Sequence, residues 1–187
     1  MGEKRRFVVP GEEVGTTEEY IAGTGTFEEK GKIYAHSMGV LELDRNDMTA
    51  KVQPMNPPNI LKEGDIVIGK IADIRSTMAT VEIAKAEGRE RDISGDTNGT
   101  IHISKISETY VAEVGRVFRI GDIVRAKVVQ VKPSIQLVTN QPSLGVLKSF
   151  CMVCRKPLRK QNNELYCSRC KRVETRKISN EYGEAKI

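Results

Sequence analysis

Gly121-Asp122-Ile123-Val124-Arg125-Ala126-Lys127-Val128 is the stretch whose reading decides the fold. A glycine and an aspartate open it as a turn, after which apolar Val124, Ala126 and Val128 alternate with charged Arg125 and Lys127. A period of two carried by branched side chains marks a strand with one face in a core and the other in water. The alternation predicts the valines and the alanine inward and the two cations outward.

The same pattern extends in both directions. Gly64-Asp65 opens a matching run that predicts a strand over 65–74, and a second follows over 79–85, where Val81 and Ile83 alternate with Glu82 and Ala84. The next stretch, 87–98, carries Arg89, Glu90, Arg91, Asp92 and Asp96, which predicts a mobile surface loop. Residues 99–104 give a third strand with Ile101 and Ile103 inward and His102 outward, 105–119 a helical turn or two, and 135–139 a closing strand. Five strands with a short helix before the fourth make an OB fold, a partly open Greek-key barrel whose strand face and loops bind oligonucleotides. The fold class expected is mainly β.

All four cysteines fall downstream of that barrel, as Cys151-Met152-Val153-Cys154 and Cys167-Ser168-Arg169-Cys170. Each Cys-x-x-Cys aims two thiolates at one point, and two such knuckles complete a tetrahedron around a zinc ion. The residues between them read as a hairpin with a turn at Gln161-Asn162-Asn163. Two disulfides are the competing reading, and a cytosolic chain whose only four thiols are paired in this way fits it poorly. Four thiolates close the coordination shell, so the expected zinc is structural. A ribbon this small buries too little to fold alone, and its zinc affinity of roughly 10–16 kcal/mol is then its folding energy. On that reasoning chelation melts the ribbon selectively.

Before the barrel, Phe7-Val8-Val9-Pro10-Gly11 reads as a strand entering a turn, and 26–29 with 32–35 as a hairpin about Lys30-Gly31. Strands are expected over 40–43 and 49–52, then a stiff linker over 53–59. Gly23-Thr24-Gly25 is turn chemistry, since no lysine-bearing phosphate loop follows it. The expected domains are an N-terminal β domain with its linker (1–59), the OB barrel (60–148) and the zinc ribbon with a basic tail (149–187).

Charge divides along the same lines. Residues 1–59 hold 7 Lys and Arg against 10 Asp and Glu, 60–148 hold 13 against 11, and 149–187 hold 10 against 4. An acidic front suits protein contact and a basic tail suits a polyanion, with nine cations from Arg155 to Lys177 placed for phosphate; a solvated surface is the competing reading. The sequence has no apolar run long enough for a membrane span and its first residues lead into no signal core, which predicts a cytoplasmic protein. Neither histidine, His36 or His102, sits near a thiol, and no Gly-x-Ser-x-Gly, Walker loop or convergent carboxylate set stands out. No catalytic residue is nominated.

The segments 64–71, 99–104 and 118–128 resemble the RNA-binding repeat first named for the largest ribosomal small-subunit protein. His102 matches that family's histidine, and Arg75, Arg125, Lys127 and Lys132 are candidates to line the same face as RNA contacts; an ordinary exposed strand residue is the competing reading for His102 and a solvated face for the four cations. Ser76-Thr77-Met78-Ala79-Thr80 lacks the aromatics with which the repeat stacks bases, and the last hairpin lacks its Asp and Arg pair. Stacking contributes about 1–3 kcal/mol per base, so its absence predicts weaker binding carried by charge.

The order of the three modules, with Pro10-Gly11 and Gly23-Thr24-Gly25-Thr26 in the first, resembles the zinc-ribbon cap subunits of the archaeal RNA exosome. The resemblance implies a non-catalytic RNA-binding cap that guides substrate to a hexameric ring of phosphorolytic 3'-5' exoribonuclease subunits, beside other cap subunits. A bacterial-type primase, linked to such caps, is carried as a candidate partner. A free-standing RNA-binding transcription or translation factor is the alternative function.

Overall fold

The computed structural model describes residues 6–162 and 164–184, which form two compact units divided between Pro57 and Pro58. In the first unit the strands are β1 (Arg6–Val8), β2 (Glu13–Thr16), β3 (Ile21–Ala22), β4 (Thr26–Glu29), β5 (Lys32–Ala35), β6 (Gly39–Asp44) and β7 (Thr49–Pro54). They make a four-stranded sheet in the order β1-β6-β7-β3 and a three-stranded sheet β2-β5-β4. Alternation puts Ile33 and Ala35 of β5, Leu41 of β6 and Ala50 and Val52 of β7 into one core with Val8 and Val14.

The expected hairpin is β4–β5, and Lys30 and Gly31 at its tip both take positive φ, 50° and 78°, the mirror-image turn that suits strand twist. The glycine turn at 23–25 is equally constrained. Gly25 has φ +80°, and a side chain there would press on the Val52 carbonyl of β7. Two short strands, β2 and β3, were not anticipated. The stretch expected to be a stiff linker is partly strand, because Gln53 and Pro54 pair with Val40 and Gly39 of β6.

The second unit begins with the barrel: β8 (Ile66–Ile74), β9 (Met78–Ala86), β10 (Asn98–His102), a 3-10 turn (Ile103–Lys105), helix α1 (Val114–Val117), β11 (Ile123–Gln130) and β12 (Ile135–Val138). Neighbours run β12-β10-β9-β8-β11, and a further β11–β12 pairing closes the ring. Only β10 and β12 pair in parallel, with Thr100 opposite Gln136; the other barrel pairings are antiparallel. This is the expected five-stranded OB barrel. Val124, Ala126 and Val128 are buried, as their alternation predicted, around Phe118, Ile71, Ile101 and Leu137.

The helical expectation over 105–119 reduces to the 3-10 turn and the four residues of α1. Ile103 therefore leaves the strand, and it is half-buried. The charged loop 87–98, expected to be a mobile surface loop, is hydrogen-bonded to the start of the unit through Arg89. Arg89 Nη1 donates to Asn59 Oδ1 at 2.8 Å and to the Ile60 carbonyl at 3.0 Å, and its Nη2 reaches Asp65 Oδ1 at 2.8 Å. A bridge between Asn59 and Ile93 fastens the same loop again.

Beyond the barrel a sixth strand, β13 (Gly145–Lys148), pairs with β11. The ribbon follows as β14 (Arg159–Gln161), β15 (Glu164–Cys167) and β16 (Arg172–Glu174), in that order across the sheet. Of the expected turn Gln161-Asn162-Asn163, Asn162 has φ 54°, while Asn163 lies outside the described residues. Barrel and ribbon share one apolar cluster, in which Cys151, Leu158, Leu165, Cys167 and Tyr182 continue the barrel core. The boundary expected at 148/149 thus falls inside a unit.

Candidate functional site

The four thiols are brought together by two copies of one local structure. In the first knuckle the Arg155 N–H donates to the Cys151 carbonyl at 2.9 Å and Arg155 turns left-handed at φ 60°. In the second the Lys171 N–H donates to the Cys167 carbonyl at 2.8 Å and Lys171 has φ 51°. Each turn folds its two thiols to the same side. All four Sγ atoms lie within 4.8 Å of one another, with Cys154 and Cys167 at 3.5 Å, and none is in a disulfide.

The donor set fits a tetrahedral metal ion, for which a metal–sulfur bond of about 2.3 Å spaces the sulfurs about 3.8 Å apart. The Cys170 N–H also points at Cys167 Sγ, at 3.4 Å, as suits a thiolate. Without a cation the crowding opposes ionisation: hydrogen bonding to Cys154, then burial, pushes the Cys170 thiol up to about 12. A bound dication reverses that preference. Cys151 and Cys167 are buried and Cys154 and Cys170 half-buried, so the barrel side of the centre is sealed.

A polar network ties this centre to the barrel. Glu174 Oε1 accepts the Met152 N–H of the first knuckle at 3.1 Å, and its Oε2 accepts Arg176 Nη2 at 2.7 Å. Arg176 Nε in turn reaches Asp122 Oδ2, immediately before β11, at 2.9 Å, and Asp122 Oδ1 accepts the Ser149 hydroxyl at 2.6 Å. Arg176 was expected among the surface cations of the ribbon. It is buried, because two carboxylates from different parts of the unit enclose it.

The candidate nucleic-acid face lies elsewhere on the barrel. Met78 of β9, Thr100 and His102 of β10, Lys105 after it and Gln136 and Leu137 of β12 line a cavity of about 220 Å³. His102 is exposed, as predicted, and its Nδ1 pairs with Ser104 Oγ at 2.9 Å, which leaves Nε2 for a ligand. Arg75 stands exposed at the adjoining β8–β9 turn, where its backbone N–H donates to the Met78 carbonyl at 2.8 Å and its Nε contacts Asp73 Oδ2 at 3.4 Å.

The other expected RNA contacts do not join His102. Arg125 on β11 is clasped by Glu87 Oε2 and Glu181 Oε1, each at 2.6 Å, and its side chain is 15% exposed. Lys127, half-buried on the same strand, and Lys132, exposed in the β11–β12 turn, line no part of the His102 cavity. Sequence reasoning passed over Thr100, Lys105 and Gln136. Period two holds the signal for two of them, since Thr100 shares the outward register of His102 and Gln136 lies between inward Ile135 and Leu137.

Comparison with known proteins gives these sites a setting. Residues 7–44 match the family model described as the Exosome complex exonuclease RRP4 N-terminal region. Exosome complex component Csl4 of Archaeoglobus fulgidus is 37% identical over 180 residues, covering 96% of this chain and 98% of that protein. The chain belongs to the Csl4 family of exosome components. Exosome complex component Rrp4 of Methanobrevibacter smithii is 34% identical over 129 residues, 69% of this chain and 39% of that longer protein. A solved a/eIF2alpha-aDim2p-rRNA complex from Pyrococcus horikoshii matches 44% of this chain and 46% of that one at 25% identity, with a TM-score of 0.36.

In this Csl4-family chain, no helix among the described residues is long and apolar enough to cross a membrane.

Proposed function

We propose that the chain is a non-catalytic cap subunit of an exosome, which captures single-stranded RNA and guides it to a ring of phosphorolytic exoribonuclease subunits. One observation carries this reading: the likeness to an exosome component runs through 96% of the chain, so docking unit, barrel and thiol centre are inherited together. The acidic first unit is the docking part, and the ring and its other caps are the partners, with a bacterial-type primase a further candidate. The His102 cavity, with Arg75 and Lys105 beside it, takes the strand by charge and shape, so sequence preference is weak. Arg125, Lys127 and Lys132 contribute to the field around that face; Arg125 does so from within its ion pairs. The four thiolates hold one structural zinc whose role is to fix the ribbon against the barrel.

The experiment is assembly. Mixing the purified chain with an exoribonuclease ring and weighing the product by native mass spectrometry is expected to give a stoichiometric complex with raised RNA affinity. Co-migration with ribosomes or polymerase instead would assign the chain to the free-standing factors, and RNA turnover by the isolated chain would remove the non-catalytic reading.

A further inference from the structure

A second groove opens at the seam between barrel and ribbon, away from the His102 cavity. Ile74 at the end of β8, Arg119 and Ile120 before β11, and Phe150, Met152 and Arg155 at the first knuckle line about 290 Å³ of it. Its floor is apolar, and Ile120 and Met152 are 56% and 55% exposed. Its rim carries two guanidinium groups and, among the described residues that line it, no carboxylate. Arg119 Nε rests 3.2 Å from Met152 Sδ, a weak acceptor, and Arg155 projects from the left-handed end of the knuckle. Lys148 Nζ stands 6.0 Å from the centre of the Phe150 ring, adding a third cation close by.

An apolar floor, an aromatic ring in the lining and a guanidinium rim are what a nucleotide needs: a surface for the base and fixed cations for its phosphates. The volume lies just under the roughly 300–1,000 Å³ of small-molecule pockets, room enough for one base. Position decides between RNA and an acidic protein segment. Ile74 ends β8 beside Ala79, the Arg75 N–H bonds the Met78 carbonyl, and Met78 lines the His102 cavity. The Ile103 N–H donates to the Thr77 carbonyl at 2.8 Å, fastening the same turn to the end of β10. The two cavities therefore flank a single turn, Arg75 to Thr77.

We infer that the groove is a second nucleotide subsite, receiving a base and its flanking phosphates from an RNA strand that leaves the His102 cavity and crosses the β8–β9 turn onto the ribbon. This rests on the RNA-binding reading given above. It replaces the stacking platform that Ser76 to Thr80 lack with one built from Phe150 and Met152.

The test compares labelled oligouridylates of about 4 and about 12 nucleotides, the range of OB-fold site sizes, by fluorescence anisotropy on the metal-loaded full chain. Arg155→Asn keeps a residue that tolerates positive φ, and Phe150→Leu keeps the groove apolar. Both are expected to retain metal content and melting temperature and to leave the short oligomer unaffected. For the long oligomer, Phe150→Leu should weaken binding about 5-fold or more, and Arg155→Asn should lower the salt slope by about 0.7. If both variants bind both lengths as the parent does while His102→Ala weakens them, the groove is off the RNA path and this inference falls alone. If the parent binds neither length, the RNA-binding reading falls and takes the groove with it. Variants that keep full RNA binding yet no longer join the exoribonuclease ring would give the groove to protein and overturn the assignment.

Discussion

Arg176 Nε donates to Asp122 Oδ2 at 2.9 Å between side chains that are 1% and 2% exposed, joining the residues after the last ribbon strand to the entrance of the barrel's β11. Every other polar atom of the pair is engaged. Arg176 Nη2 and Nη1 reach Glu174 Oε2 and the Thr175 carbonyl, both at 2.7 Å, and Asp122 Oδ1 takes the Ser149 hydroxyl. Two charges removed from water are tolerable only in such a saturated setting, and the price of breaking it is correspondingly high.

Arg176→Met is therefore expected to destabilise the second unit by about 3–5 kcal/mol, since it leaves Asp122 and Glu174 buried without their cation. Urea unfolding of the full chain reads the change. A loss within about 1 kcal/mol would mean that water replaces the guanidinium and that the network contributes little.

Metal removal follows the same connection. Sequence reasoning predicts that chelation melts only the ribbon, whereas the shared apolar cluster and the Glu174–Arg176–Asp122 chain carry the loss into the barrel. With chelator present, amide exchange is expected to rise in β13 and at the start of β11 as well as in β14 to β16. The first unit has its own core and is expected to keep its protection. Exchange confined to the knuckles would uncouple the two parts.

What was legible in the sequence was local. The alternation at Val124, Ala126 and Val128 identified a strand and its buried face, and the spacing of Cys151, Cys154, Cys167 and Cys170 identified a cluster. Arg176 and Arg125 were misjudged as surface cations because partners that enclose them lie far along the chain: Asp122 is 54 residues from Arg176, whose other carboxylate Glu174 is two residues away, and Glu87 and Glu181 are 38 and 56 from Arg125. Period two says which side of a sheet a residue faces, and nothing about what the fold brings to that side. The sixth strand was missed for the same reason, as Gly145-Val146-Leu147-Lys148 is too short to alternate and becomes a strand only beside β11.

The clasp on Arg125 separates two variants that sequence reasoning grouped with RNA binding. Arg125→Glu sets a carboxylate against Glu87 and Glu181 and is expected to lower the melting temperature, with any RNA defect following the loss of fold. His102→Ala with Lys105→Ala removes two side chains that line the His102 cavity and form no ion pair among the described residues, and is expected to weaken RNA capture at unchanged melting temperature. Anisotropy and thermal melts on both variants decide it; a folded Arg125→Glu chain with a pure RNA defect would place that arginine on the strand.

Tyr182 gives a pH-dependent check on how ribbon and barrel are joined. Its hydroxyl donates to the Leu158 carbonyl at 3.0 Å and accepts the Ser149 N–H at 3.2 Å, and the residue is 8% exposed. Burial, with the Asp122 charge adding to it, pushes the hydroxyl from its ordinary 10.0 up to about 12, against the pull of the Ser149 N–H and of Arg176. The unfolded chain thus releases this proton first as pH rises. Between about pH 10 and 12 the folded state holds more protons, so the Tyr182 contribution is full below 10 and declines through that window. At neutral pH, Tyr182→Phe is expected to cost about 1–3 kcal/mol, because the Ser149 N–H and the Leu158 carbonyl lose their partner. Above pH 10 the gap between parent and variant should narrow, since only the parent has the proton to lose. Urea midpoints of the two chains across the alkaline range measure it, and a gap independent of pH would show that the hydroxyl reaches water in the folded protein.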